Sequence, residues 1–97
     1  MTYSLEFFES ALKEWRKLAP QIRDQFKKKL AERLEHPHVP SARLHNLPDC
    51  YKVKLRTAGY RLVYKVDDKV VTVIVVAVGK RDKSMVYRSA GARTKSK

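Results

Sequence analysis

The sequence predicts an α+β domain with the element order β-α-α-β-β-β-α, in which an antiparallel sheet carries a helical hairpin on one face. Two observations lead to this prediction. Apolar residues recur at helical spacing between residues 8 and 34, and between residues 51 and 78 they either alternate with polar residues or run together. The 97 residues are enough for one domain with a modest core.

The first half of the chain predicts one short strand followed by two helices. Residues 2–7 alternate apolar and polar side chains, as a strand does. From Phe8 the apolar residues follow a helical period, and Pro20 suits the first turn of a second helix. The second helix carries the cationic run 27–29, which is typical of a solvated helix face but could also contribute to nucleic-acid binding. Residues 36–47 show no period and predict a loop.

The stretch from Tyr51 to Lys65 predicts a β-hairpin with one apolar face and one cationic face. Apolar residues alternate with cations on both sides of the turn at residues 57–59. The predicted apolar face consists of Tyr51, Val53, Leu55, Leu62 and Tyr64, and the predicted cationic face consists of Lys52, Lys54, Arg56, Arg61 and Lys65. A sheet face made almost entirely of cations suits solvent or a polyanion.

The rest of the chain predicts a central strand and a short last helix. Residues 70–78 are almost all Val and Ile, which is typical of a strand covered on both faces, and Gly79 is expected to end it. The short helix would carry Tyr87. We expect a single domain at residues 1–90 and a basic flexible tail at residues 91–97.

The composition points to a polyanionic partner. The chain has 22 Lys and Arg residues against 10 Asp and Glu residues, a net charge of +12. This charge favours nucleic acid over an anionic membrane or an acidic protein. Because Cys50 is the single cysteine, no internal disulfide can form, and we expect a cytoplasmic protein. No signal-peptide pattern or membrane-length apolar run is present, so no membrane is expected.

The candidate catalytic chemistry is that of Lys and Arg. The three histidines fall in one loop without a Cys, Asp or Glu cluster, so neither a metal nor another cofactor is expected. A Lys among cations has a lowered pKa and can act as a base, whereas Arg stays charged. Cleavage of RNA by a neighbouring 2′-hydroxyl needs a base, an acid and charge stabilisation at phosphorus. Composition alone nevertheless favours a plain RNA-binding module over a nuclease.

Four sequence blocks resemble the RelE toxins of bacterial toxin–antitoxin systems. They are LKEWRKL at residues 12–18, PDCYKVKLR at 48–56, GYRLVY at 59–64 and VGKR at 78–81. The resemblance covers about residues 1–88 and implies a compact microbial-RNase-like domain. It also implies a metal-independent endoribonuclease, an mRNA interferase that cuts mRNA in the ribosomal A site and leaves a 2′,3′-cyclic phosphate and a 5′-hydroxyl.

The resemblance assigns roles to five residues. Lys54 matches the general base on the 2′-hydroxyl, and Lys52 matches a neighbouring cation that supports it. Arg61 matches the cation at the scissile phosphate. Arg81 matches the general acid, or the cation at the leaving oxygen. Tyr87 matches the aromatic ring that stacks on a substrate base.

Three further residues complete the predicted RNA-binding set: Arg56, Lys80 and His45. His45 stands where the family pattern has a basic Arg, so one RNA contact is expected to be weaker. The chain after Tyr87 is interrupted by Gly91, which predicts a short last helix.

The resemblance also implies partners. These are mRNA and the 70S ribosome with its rRNA, a cognate RelB-like antitoxin, and operator DNA through the antitoxin complex. The exposed apolar residues of the first helix and the basic patch are both plausible antitoxin surfaces. Two alternatives stay open: a non-nuclease toxin like the ParE gyrase poisons, and a module that binds rRNA without cutting it.

Overall fold

The chain folds in the predicted order of elements. The computed structural model describes residues 2–80 and 85–95. Within these residues the elements are β1 (Ser4–Phe7), α1 (Glu9–Arg16), α2 (Pro20–Glu35), β2 (Cys50–Leu55), β3 (Tyr60–Asp67), β4 (Thr72–Lys80) and α3 (Met85–Lys95). One turn of 3₁₀ helix, Pro40–Ala42, lies in the loop between α2 and β2. The predicted α+β class is confirmed.

The strands form one sheet in the order β1-β4-β3-β2. The predicted antiparallel meander of β2, β3 and β4 is present, and β4 is central as predicted. β1 differs, because it pairs with the outer edge of β4 in the parallel direction. Its direction follows from the connection through α1 and α2, which returns the chain to the starting end of the sheet before β2 begins.

The helical hairpin covers one face of the sheet, as the apolar stripe predicts. Phe26 and Leu30 of α2 are buried against the apolar face of the β2–β3 hairpin, where Val53 and Leu62 are fully buried. We call this the hairpin-covered face. Hydrophobic burial of such side chains is worth about 1.5–3 kcal/mol each, so this layer supplies most of the core.

The second face of the sheet carries α3 and the cations. Val86 and Ala90 of α3 are buried with Val63, Val76 and Ala77 of the sheet. α3 lies mainly over β4 and β3, and on this face of β2 Cys50 is buried in the same cluster while Lys52 and Lys54 are only partly buried. This second face is therefore apolar under α3 and cationic beside it.

Several strand boundaries differ from the sequence prediction, and β1 begins at Ser4 rather than at residue 2. β4 does not end at Gly79, because Gly79 pairs with Arg61 and Lys80 pairs with Tyr60. Backbone hydrogen bonds need no side chain, so a glycine can continue a strand when the adjacent strand, here β3, supplies backbone partners. Val70 and Val71 lie before β4, and Val71 adopts a positive φ of 49° in the turn. The β2–β3 turn begins at Arg56 rather than Thr57.

α3 extends beyond the predicted domain boundary at residue 90. It continues through Gly91 to Lys95, so the start of the predicted tail lies inside a helix. The guanidinium of Arg93 explains the continuation, because it bonds to Glu14 of α1 and to the carbonyl of Val76. Sequence periodicity gives no sign of contacts between residues so far apart.

Tyr64 joins the sheet to the loop after α2. Its side chain is fully buried, and its hydroxyl donates to the carbonyl of Pro37 at 2.7 Å and accepts from Arg33 Nη1 at 2.9 Å. Burial raises the pKa of Tyr64, so the phenol remains protonated and can donate. The same Arg33 atom also donates to the carbonyl of Lys52 at 3.2 Å.

Tyr64→Phe is expected to destabilise the fold. It leaves the Pro37 carbonyl and Arg33 without this partner in a buried place, at a cost of about 1–3 kcal/mol. The melting temperature should fall by at least about 5 °C in thermal unfolding. Tyr3→Phe is the matched control, because its hydroxyl donates to the exposed Asp68 and its loss should cost less than about 1 kcal/mol. Equal effects of the two substitutions would contradict the assignment.

Candidate active site

The site begins with two cations opposite one another in the β2–β3 hairpin. Lys54 pairs with Arg61, and Lys52 lies two residues earlier on the same face, opposite Val63. All three side chains are half-buried on the second face of the sheet. Like charges directly opposite one another destabilise a sheet, so this arrangement favours an anionic ligand.

The neighbouring cations lower the pKa of Lys54. Lys52 contributes most, followed by partial desolvation, Arg61 and Arg56. A lysine whose pKa is lowered has a larger neutral fraction near neutral pH, and the neutral amine is the form that accepts a proton. The geometry therefore supplies a candidate general base without a histidine or a carboxylate.

Tyr87 completes one side of this site. The Arg61 guanidinium carbon lies over the Tyr87 ring, 5.3 Å from its centroid. Gly79 pairs with Arg61 on the other side, and a Cβ added there would lie 3.4 Å from Val86 of α3. Such a Cβ would make an ordinary van der Waals contact, so the first turn of α3 packs directly over Gly79, beside Arg61.

Two polar atoms at this contact are buried without a hydrogen-bond partner among the described residues. They are Nε of Arg61 and the hydroxyl of Tyr87. Buried polar atoms normally have partners, and a catalytic role is one explanation for an exception. Both atoms belong to residues that the sequence assigned to the site.

Arg56 and Arg33 extend the cationic site to the edge of the sheet. Arg56 lies in the turn after β2 and opens with Lys54 onto a groove of about 320 Å³. The residues lining this groove are Arg33, Ser41, Ala42, Lys52, Lys54 and Arg56. The predicted RNA-binding residue Arg56 therefore lies beside the candidate catalytic residues.

The remaining predicted site residues are His45, Lys80 and Arg81. His45 is exposed in the loop before β2 and lines a cleft of about 540 Å³ together with Tyr87, so it approaches the site from the α3 side. Lys80 follows Gly79 in β4, and its side chain therefore lies on the opposite sheet face from Arg61. Arg81 lies outside the described residues.

Arg33 was not predicted as a residue of the site, because in the sequence it resembles the other charged residues on the exposed surface of α2. Its position was a usable signal, since it falls on the apolar stripe, three residues after Leu30 and seven after Phe26. A cation on an apolar stripe must either pair with a buried polar group or extend its charged end beyond the core to the surface. Here it reaches Tyr64 and the edge of β2.

The described part of the chain has neither a metal-binding cluster nor a membrane-spanning helix. Residues 2–80 and 85–95 contain no cluster of three or more His, Cys, Asp or Glu side chains that could hold a metal ion. No helix within these ranges has the length and apolar character needed to cross a membrane.

Comparison with known proteins gives a family. The family model described as the ParE toxin of type II toxin–antitoxin systems, parDE, matches residues 5–85. The chain is 56% identical over 93 residues to the mRNA interferase toxin RelE of Escherichia coli strain K12, which covers 96% of this chain and 98% of the relative. It is 53% identical over 93 residues to a putative RelE-like toxin protein of Escherichia coli. The fold and these matches define a toxin of a type II toxin–antitoxin system.

Comparison with solved structures gives the same family. A mutant of Escherichia coli RelE in the free state superposes with a TM-score of 0.89 at 55% identity and covers 96% of this chain and 98% of the other. RelE in the intact Escherichia coli RelBE toxin–antitoxin complex superposes with a TM-score of 0.80 at 56% identity, covering 84% and 99%. The chain belongs to the RelE family of toxins, and the resemblance noted in the sequence is confirmed.

Lys54 should react faster with an amine-acylating reagent than in a variant that lacks Lys52. Because the neutral amine is the reactive form, Lys52→Met raises the pKa of Lys54 and should slow its labelling near neutral pH several-fold. Mass spectrometry of labelled peptides measures the rate, and the exposed Lys13 of α1 is the internal control. Unchanged labelling of Lys54 would show that Lys52 does not control its pKa.

Proposed function

We propose that this protein is a ribosome-dependent endoribonuclease that cleaves mRNA in the ribosomal A site. The observation that carries the proposal is the pairing of Lys54 with Arg61, with the Tyr87 ring over the same Arg61. The Escherichia coli relative is named an mRNA interferase toxin, and this supports the same substrate class here.

In the proposed reaction the 2′-hydroxyl of one nucleotide attacks the adjoining phosphorus. The neutral amine of Lys54 accepts the hydroxyl proton, and the 2′-oxygen forms a new bond to phosphorus. The bond between phosphorus and the 5′-oxygen then breaks, and that oxygen takes up a proton. The products are a 2′,3′-cyclic phosphate and a 5′-hydroxyl, and no water is consumed.

The guanidinium of Arg61 is suited to the charge that develops on the phosphate oxygens. Arg remains protonated throughout, and its planar donors match a phosphate. Lys52 has two roles in the proposal: it lowers the pKa of Lys54, and it adds positive charge at the phosphate. Arg81 is proposed, from the resemblance alone, to stabilise or protonate the leaving oxygen.

Tyr87 is proposed to hold a substrate base by stacking. Cleavage through a 2′-hydroxyl requires the attacking and leaving oxygens to be in line, and a stacked base restricts the sugar to such a geometry. The Tyr87 ring already lies against the Arg61 guanidinium. An incoming base would therefore either stack on the ring beside this guanidinium or displace it from the ring. Arg56, Lys80 and His45 remain predicted RNA contacts.

The proposed partners follow from this activity and from the relatives. The ribosome would present mRNA in the A site, which also places the protein in the cytoplasm. The RelBE complex of Escherichia coli supports a RelB-like antitoxin, and repression of operator DNA through that complex is part of the proposal. An apolar groove of about 240 Å³, lined in part by Trp15 of α1 and Leu5 of β1, is a suitable antitoxin surface.

A non-nuclease toxin is the second candidate, because the matching family model is described by ParE. It requires no base or phosphate-binding Arg, so it does not explain the crowding of cations around Lys54. A non-catalytic rRNA-binding module would explain the crowded cations, and the lowered pKa of Lys54 follows from that crowding in either case. The nuclease is favoured over the binding module because the relative that is 56% identical is named an mRNA interferase toxin.

Primer extension on mRNA in stalled ribosomes tests the proposal. The wild-type protein should produce a new 5′ end within the A-site codon, and Lys54→Ala, Arg61→Ala and Arg81→Ala should each reduce cleavage by about 100-fold or more. Lys13→Ala, which removes an exposed cation from α1, is the matched control and should cleave normally. Intact mRNA with normal ribosome binding by the wild-type protein would contradict the proposal and favour the binding module.

A further inference from the structure

We propose that Glu14 and Arg93 are positioning residues that hold α3 so that Tyr87 stays stacked on Arg61. The proposal rests on the role proposed above for Tyr87. Neither residue lies in the cationic site: Glu14 is on α1 and Arg93 is near the end of α3. We refer to the pair as the α1–α3 clamp.

The clamp is a two-bond ion pair. Arg93 Nη1 donates to Glu14 Oε1 at 2.9 Å, and Arg93 Nη2 donates to Glu14 Oε2 at 3.2 Å. The two side chains are 23% and 34% exposed, respectively. Parallel bonds between a guanidinium and a carboxylate fix orientation as well as distance, and partial burial reduces screening by solvent.

The clamp also bonds to the backbone of β4. The amide of Val78 donates to Glu14 Oε1 at 3.3 Å, and the carbonyl of Val76 accepts from Arg93 Nη1 at 2.8 Å. α1 and α3 are thus tied to each other and to the strand that leads into the site. The carboxylate accepts and the guanidinium donates, so each side chain matches the backbone group that it contacts.

These backbone groups are available because of the sheet topology. β1 accompanies β4 only as far as Val75, after which the amide of Phe8 donates to the Val75 carbonyl and the chain turns into α1. Beyond Val75 this edge of β4 has no strand partner within residues 2–80 and 85–95. Unsatisfied backbone groups at such a place need side-chain or solvent partners, and the clamp supplies them.

α3 is a helix that needs such an anchor. It has 11 residues, and isolated helices of that length are marginal in water. Gly91 lies inside it and weakens it further. Among the residues of α3 whose side chains are described, the buried ones are Val86 and Ala90, which offer little apolar area.

The distance from the clamp to Tyr87 explains how it acts. Arg93 follows Tyr87 by six residues, which is about 9 Å along the helix axis. Tyr87 lies in the first turn, where α3 joins the rest of the chain. A helix anchored only at that end can pivot, whereas anchors at both ends fix the ring against Arg61.

A double-mutant cycle tests the proposal in the A-site cleavage assay. Glu14→Ala and Arg93→Ala should each slow single-turnover cleavage about tenfold, since small misplacements of a positioning group have effects of this size. In a Tyr87→Ala background the same substitutions should have no further effect. Glu9→Ala, which removes an exposed carboxylate from the same helix, is the matched control.

A general loss of folded protein would slow both backgrounds equally. Equal slowing in the presence and absence of Tyr87 would therefore overturn the proposal.

Proton NMR tests the same contact without activity, so failure of the proposed nuclease would not obscure the result. The Tyr87 ring should shift the Arg61 δ-proton resonances upfield, and Tyr87→Ala identifies the shift. Glu14→Ala and Arg93→Ala should move these resonances toward their Tyr87→Ala positions, while Glu9→Ala leaves them in place. Resonances that stay at wild-type positions in both clamp variants would overturn the proposal.

Discussion

The crowding of Lys54 and Arg61, which face each other across β2 and β3, is the constraint that the hairpin must offset and on which the candidate site depends. Opposing like charges cost a few tenths to about 1 kcal/mol in a sheet. The residues next to them, Val53 and Leu62, are fully buried on the other face and supply about 1.5–3 kcal/mol each. Burial therefore exceeds the repulsion, and the hairpin can keep its cations crowded.

The crowding has a chemical consequence because Lys and Arg respond to it differently. Arg keeps its proton, whereas the pKa of Lys54 is lowered, chiefly by Lys52. One sheet face thus presents a candidate base beside permanent positive charge. α3 limits this face on one side and brings Tyr87 over Arg61, and the clamp of Glu14 and Arg93 holds α3 there.

The sequence was sufficient to predict the hairpin, its two faces and most of the core, because alternation and helical spacing are local patterns. It was not sufficient for contacts between distant residues. Glu14 and Arg93 are 79 positions apart, and their pairing explains why α3 continues past Gly91. Periodicity also gave no sign that β1 would be parallel to β4, since that direction depends on the whole helical connection.

The candidate site was predicted to a similar extent. Lys52, Lys54, Arg61 and Tyr87 lie together, and three of these were visible from strand alternation. Arg33 was hidden among surface cations although it lies on the apolar stripe of α2. Lys80 could not be placed in advance, because the sequence pattern ended the strand at Gly79 and the strand in fact continues by one residue.

The most direct test of the central claim is the pH dependence of single-turnover mRNA cleavage by the wild-type protein and by Lys52→Met. If Lys54 is the base, cleavage rises with pH as its ammonium loses a proton. Loss of Lys52 raises the pKa of Lys54, so we predict that the rising limb moves to higher pH in Lys52→Met. Rising limbs at the same pH in both proteins would contradict the claim that crowded cations make Lys54 the base.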